Sequence, residues 1–187
     1  MNKTALLVID VQDSFKAFPK HWAKRNNLQF EANISKLIAA FEANNQPIFY
    51  VLHSDLDEAF LLTSPHYKLM DFLDSGDNPI LEKTTRSVFA STDLQTRLNQ
   101  MHCNHIVITG IQTEQCCETT TRHGADLGYT VDYVTEATLT FPIKHWAAGK
   151  DLMPTEIVER TEYALAGRFA SIKTVAQVID ELDDLKK

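Results

Sequence analysis

Cysteine is scarce in this sequence: three residues among 187, forming neither a CxxC pair nor a Cys/His cluster at zinc spacing. That argues against a disulfide framework and against structural zinc, and no cofactor is expected. Basic charge is also in short supply, with 18 Lys and Arg against 25 Asp and Glu and a formal net charge of -7. The basic residues are scattered, so the clustered phosphate contacts that a nucleic-acid partner demands have no footprint here. Long apolar runs are missing as well. The first, Ala5-Leu6-Leu7-Val8-Ile9, is too short for the apolar region of a signal peptide and far too short to span a bilayer. A cytoplasmic protein without a membrane partner is the expectation. No internal repeat, low-complexity tract or linker divides the chain, and residues 1–187 are expected to form one domain.

What is present is a globular composition, 44% hydrophobic and 23% charged, sufficient to bury one substantial core. The runs Ala5 to Ile9, Ile48-Phe49-Tyr50-Val51-Leu52 and Ile106-Val107-Ile108 do not alternate, as suits strands buried on both faces. Thr130 to Thr135 and Phe169 to Ile172 are further strand candidates. Between them lie helical patterns: Ile34, Leu37, Ile38 and Phe41; Leu94 and Leu98, opened by Thr92; and Val175, Val178, Ile179 and Leu182. Thr174 and Gln177 read as a capping box for the last helix. Strand and helix in alternation imply right-handed crossovers, a parallel sheet and helices on both faces. Residues 54–79 break the pattern and read as an excursion over the active-site edge. The stretch from Phe141 to Pro154, carrying the exposed-looking His145 and Trp146, reads as a lid or an oligomer contact.

Three polar residues sit where expected strands end: Asp10 after the first run, Lys83 after Ile80-Leu81-Glu82, and Cys116 six residues beyond Gly110. In an open parallel sheet the carboxyl ends of strands form the ligand crevice, so these groups are placed to converge. Each has a plainer reading taken alone: the Asp caps a turn, the Lys is solvated, the Cys is core packing. Thr113 looks like an N-cap. Cys116 would then lie in the first turn of a helix running towards Gly128, where the dipole and a nearby Lys lower a thiol's pKa. Asp10 is placed to take the thiol proton, an arrangement suited to acyl transfer.

The segments Leu7-Val8-Ile9-Asp10-Val11-Gln12-Asp13-Ser14-Phe15, Lys83 to Leu94 and Thr109-Gly110-Ile111-Gln112-Thr113-Glu114-Gln115-Cys116 resemble, in order, the three motifs of isochorismatase-like hydrolases. Gly124 to Tyr129 resembles the end of the helix after the family's nucleophile. The resemblance implies a three-layer α/β/α fold on a six-stranded, mainly parallel sheet in the order 3-2-1-4-5-6. It also implies a nucleophilic Cys116, a proton-shuttling Asp10 and an assisting Lys83. A cis peptide between Ile111 and Gln112 is implied too, with the Gln112 and Cys116 N–H groups as an oxyanion hole. Specificity is expected from the loop residues Phe15, Trp22, Phe60, His145 and Trp146.

Two departures limit the inheritance. The nicotinamidase branch binds a metal through Asp-x-His plus a further His, whereas this chain reads His53-Ser54-Asp55 with His66 later; solvated loop histidines and no metal are expected. Cys117 stands where the family has a small aliphatic residue and is expected to be a core thiol. Hydrolysis of a small amide or related C–N bond through a thioester is the leading reading. Vinyl ether hydrolysis of the isochorismatase type is the alternative, and a redox sensor using vicinal Cys116 and Cys117 is a third. The partners expected are a small-molecule substrate and further copies of the chain, as a dimer or higher homo-oligomer.

Overall fold

The computed structural model describes residues 3–147 and 149–184, so Ala148, inside the Phe141 to Pro154 segment, lies outside the described residues. Six strands form one sheet: β1 (Lys3–Ile9), β2 (Ile48–His53), β3 (Ile80–Lys83), β4 (Cys103–Ile111), β5 (Thr130–Leu139) and β6 (Ser171–Ile172). Their spatial order is 3-2-1-4-5-6 and every pairing is parallel, so the sheet is wholly rather than mainly parallel. The helices are α1 (Pro19–Trp22), α2 (Phe30–Ala43), α3 (Val88–Ser91), α4 (Leu94–Gln100), α5 (Glu118–Asp126), α6 (Pro154–Leu165) and α7 (Val175–Asp184). No helix among the described residues is long and apolar enough to cross a membrane.

Alternation along the strands explains the layers, because successive side chains leave a strand on opposite faces. In β1, Leu6 and Val8 pack with α2 and α7, while Ala5, Leu7 and Ile9 pack with α3, α4 and α6. In β2 the same split separates Ile48 and Tyr50 from Phe49 and Val51. Both faces are covered, which is why these runs are continuously apolar. On α2, Phe30, Ile34, Leu37 and Phe41 form the stripe that meets the sheet. Each such burial contributes roughly 1.5–3 kcal/mol, against at most about 0.7 kcal/mol per residue for differences in helix propensity. Packing therefore decides where α2 lies.

The capping box of α7 is present: the Thr174 N–H donates to Gln177 Oε1 at 2.9 Å and the Gln177 N–H to Thr174 Oγ1 at 3.2 Å. Thr92 opens α4 by accepting the Leu94 N–H at 3.2 Å. β5 runs four residues beyond the expected Thr135, and β6 keeps only Ser171 and Ile172 of the expected Phe169 to Ile172, since the Phe169 and Ala170 N–H groups turn back to Leu165 O. The segment from Phe141 to Pro154 is pinned by a two-way backbone pairing of Ile143 with Leu152. Phe141 at its base is buried, whereas Trp146 at its tip is 92% exposed.

The chain leaves β1 in one direction through β2 and β3 and in the other through β4, β5 and β6, so a switch point falls between β1 and β4. Gly110 of β4 pairs with Ile9 of β1 there, at φ +124, and a Cβ on it would stand 1.9 Å from Ile9 O. Only glycine lets the two strands meet at this point. Asp10 follows at φ 54, a left-handed conformation that Asp tolerates better than most side chains.

Candidate active site

Three strand ends and one turn assemble the site. β1 ends into Asp10, β3 ends on Lys83, and between them β2 ends on His53, which is in register with Lys83. Gln12 ties β1 to β2: its side-chain amide donates to His53 O at 3.0 Å and accepts the His53 N–H at 2.7 Å. After β4 the chain winds through a π-helical turn, Thr113–Cys117, that carries Cys116 and leads into α5. The peptide between Ile111 and Gln112 is cis. Thr113 is not the N-cap that its position in the sequence suggested. It lies inside the turn, and its hydroxyl donates to Thr138 Oγ1 at 2.8 Å, because β5 packs directly beside it.

Asp10, Lys83 and Cys116 come together. Lys83 Nζ lies 2.9 Å from Asp10 Oδ2 and donates to Cys116 Sγ at 3.3 Å. Neither carboxylate oxygen of Asp10 receives a well-directed hydrogen bond, although both are buried, so the ammonium neutralises the charge without saturating its lone pairs. Lys83 is fully buried, not solvated. Burial, and then the Asp10 charge, push the Cys116 thiol up to about 12, with Lys83 opposing them. This reverses the expectation that the turn and the lysine would lower it: at 5% exposure, desolvation of the thiolate outweighs both. Cys116 thus rests as a thiol beside the Asp10 carboxyl group. Cys117 is wholly buried, its thiol raised by the same loss of water, as a core thiol should be.

A cavity of about 340 Å³ opens onto Cys116 and Asp10. Phe15 and Phe60, expected from the sequence, line it and pack edge to face with ring centroids 5.1 Å apart. Trp22, His145 and Trp146 are not among its lining residues. Trp22 packs against Phe141 and under the Arg25 guanidinium, and His145 and Trp146 sit on the exposed hairpin tip. Phe18, His21, His53, Arg86 and Gln115 line the cavity without having been singled out as pocket residues. His53 carried the same signal as Asp10, a polar residue closing an apolar run. Arg86 carried none, since its sequence neighbours do not reveal which way it turns.

His53 is a buried strand-end residue rather than a solvated loop histidine. Its Nδ1 faces Lys83 Nζ at 3.2 Å, and its Nε2 faces Arg86 Nη1 at 2.6 Å and Asp55 Oδ2 at 3.4 Å. Burial, followed by the Lys83 charge, holds it below the usual histidine range. The Arg86 guanidinium contacts both His53 Nε2 and Asp55 Oδ2, and among the described residues no three His, Cys, Asp or Glu side chains converge to hold a metal ion. The residues present do not fit the metal arrangement of the nicotinamidase branch.

A family model described as the Isochorismatase domain matches residues 4–162. An uncharacterized isochorismatase family protein of Bacillus subtilis (strain 168) is 29% identical over 184 residues, covering 96% of both chains. Nicotinamidase 3 of Arabidopsis thaliana is 29% identical over 153 residues, covering 73% of each. Among solved structures, a cysteine hydrolase from Pseudomonas syringae pv. phaseolicola 1448A superposes with a TM-score of 0.89 at 23% identity, covering 97% of this chain and 93% of that one.

Proposed function

The chain belongs to the isochorismatase family of hydrolases, and from that premise we propose that it cleaves a small amide, or a related C–N bond, through a thioester on Cys116. The observation that carries this reading is the Lys83 ammonium bridging Cys116 Sγ and Asp10 Oδ2. As the sulfur attacks the carbonyl carbon, Asp10 takes the thiol proton, and Lys83 steadies the sulfur as it becomes anionic. The oxyanion that forms needs donors fixed in advance, and the backbone N–H groups of Gln112 and Cys116, both lining the cavity, are assigned that task. Asp10 returns the proton to the leaving nitrogen as the C–N bond breaks. It then accepts a proton from the water that attacks the thioester and gives that proton to the Cys116 sulfur as the C–S bond breaks, which restores both the thiol and the carboxylate.

A free thiol lining the cavity has no task in vinyl ether hydrolysis, which favours the amide reading. Exposed Leu56, Leu62 and Trp146 support a homo-oligomer. Turnover of a panel of small amides and ureides, with isochorismate included, tests the activity. A mass shift from an acyl group on Cys116 is the expected result, and release of product from isochorismate alone would replace the amide reading with the vinyl ether one.

A further inference from the structure

The Lys83 ammonium carries three protons, and three atoms stand within reach of them: Asp10 Oδ2 at 2.9 Å, Cys116 Sγ at 3.3 Å and His53 Nδ1 at 3.2 Å. The first two belong to the proposed chemistry, and the third has no part in it. His53 is nonetheless built into place. It sits in register with Lys83 on the neighbouring strand, the Gln12 amide holds both of its backbone groups, and the Phe60 ring stands edge to face with its imidazole at 6.1 Å between centroids. The imidazole is neutral: burial opposes a charge on it, and Lys83 and Arg86 already bring a cation to each ring nitrogen. A neutral ring has one lone pair to give. Arg86 Nη1 lies 2.6 Å from Nε2, but its side chain is 51% exposed and also reaches Asp55 Oδ2, so water and a carboxylate serve it. Lys83 is fully buried and cannot turn to solvent. A lone pair at Nε2 would turn the Nδ1–H against that buried ammonium, the costlier place to leave a donor unpaired. The lone pair therefore falls at Nδ1, where Lys83 donates, and the Nε2–H is directed to Asp55 Oδ2 at 3.4 Å.

Resting on Cys116 as the nucleophile of the proposed reaction, we infer that His53 is a positioning residue: by accepting one Lys83 proton at Nδ1 it aims the other two at Asp10 and Cys116. An ammonium ends a flexible four-carbon stem and rotates about its last bond, so three acceptors are needed to hold all three of its donors in fixed directions. Asp10 and Cys116 change charge during the reaction and cannot serve as constant anchors. His53 can, because its ring stays neutral and its backbone is clamped by Gln12. Asp55 takes part from the cavity mouth, since the partner of Nε2–H decides which ring nitrogen keeps the lone pair. Lys83 is the group that opposes the rise of the Cys116 thiol, so its direction sets how readily the sulfur becomes anionic.

Alkylation of Cys116 by iodoacetamide at one fixed, mildly alkaline pH, followed by peptide mass spectrometry, reads the aim of Lys83 without any substrate. Side-chain length supplies the variants. An Asn amide oxygen reaches the place of Nδ1, whereas the longer Gln amide falls near Nε2. His53→Asn should keep most of the wild-type rate, and His53→Gln and His53→Leu should each slow it at least about 10-fold, a typical worth for a hydrogen bond to a charged group. A merely structural His53 predicts the opposite sign, because a loosened core exposes Cys116 and speeds its alkylation. Equal rates in the Asn and Gln variants, or faster alkylation in His53→Gln than in wild type, would overturn the assignment. If His53→Leu does not fold, the Asn and Gln pair, which differ by one methylene, decides alone. Turnover of the amide panel is read separately on the wild-type protein. The expected order of rates without any acyl-enzyme would defeat the amidase reading and leave His53 in its role, and amide turnover with equal alkylation in the two variants would do the reverse.

Discussion

Lys83 and Asp10 form an ion pair at 2.9 Å with side-chain exposures of 0% and 1%, and this pair joins the folding of the protein to its chemistry. Removing one partner of a buried pair strands the other charge, typically at a cost of about 3–5 kcal/mol. Lys83→Ala should therefore lose both activity and stability in urea unfolding. The double variant Lys83→Met with Asp10→Asn should recover most of the stability and none of the activity. A Lys83→Ala protein as stable as wild type would show that Asp10 is not held as a carboxylate in the fold.

The thiol chemistry has a pH signature. Alkylation needs the thiolate, whose fraction rises about tenfold per pH unit below the thiol's pKa. With the Cys116 thiol pushed up to about 12, its iodoacetamide rate should climb steadily from pH 7 through pH 10 without a plateau. Peptide mass spectrometry should find the label on Cys116 before the wholly buried Cys117. A plateau near neutrality would mean that Lys83 outweighs burial after all.

At the crossing of β1 and β4, Gly110→Ala places a Cβ 1.9 Å from Ile9 O at φ +124. The backbone must part at the point that presents Asp10, so soluble folded protein should be largely lost. Gly128→Ala is the control: φ is +91, but nothing lies within 4 Å of the added atom. It should cost only about 1 kcal/mol in urea unfolding, from conformation alone.

Gln12 makes a test of positioning. Its amide pairs with both backbone groups of His53 and also donates to Ser14 Oγ at 2.8 Å. Gln12→Leu leaves those two buried backbone groups unpaired, and a loss of about 2–6 kcal/mol in urea unfolding is expected, at roughly 1–3 kcal/mol for each unsatisfied group. A change below 0.5 kcal/mol, the usual range for surface sites, would mean that water replaces the amide without cost.

Association is tested by light scattering at micromolar concentration, where a particle heavier than the 21.2 kDa chain is expected. Leu56 and Trp146, at 93% and 92% exposure, are the residues whose change to Asp should bring the mass down. A wild-type particle of monomer mass removes the oligomer.

Much of the frame was legible in the chain because it depends on neighbours in sequence. Continuous apolar runs specify strands covered on both faces, the spacing of Phe30, Ile34, Leu37 and Phe41 specifies the buried stripe of α2, and Thr174 with Gln177 specifies the start of α7. The motif residues Asp10, Lys83 and Cys116 were visible at or just beyond strand ends for the same reason. The ends of β5 and β6 were less so: which residues continue a short strand depends on the partner strand beside it.

What the tertiary structure alone decided is the electrostatic character of the site. Lys83 reaches Cys116 across 33 positions of sequence and His53 across 30, contacts made by crossovers rather than by any local pattern. Burial is the product of all the elements packed around a group, so the sequence could suggest a thiol near a lysine but not that desolvation would win and keep Cys116 protonated. Likewise, nothing beside Arg86 in the chain announces that its guanidinium turns towards His53 Nε2, because only the folded β2 brings that nitrogen within 2.6 Å.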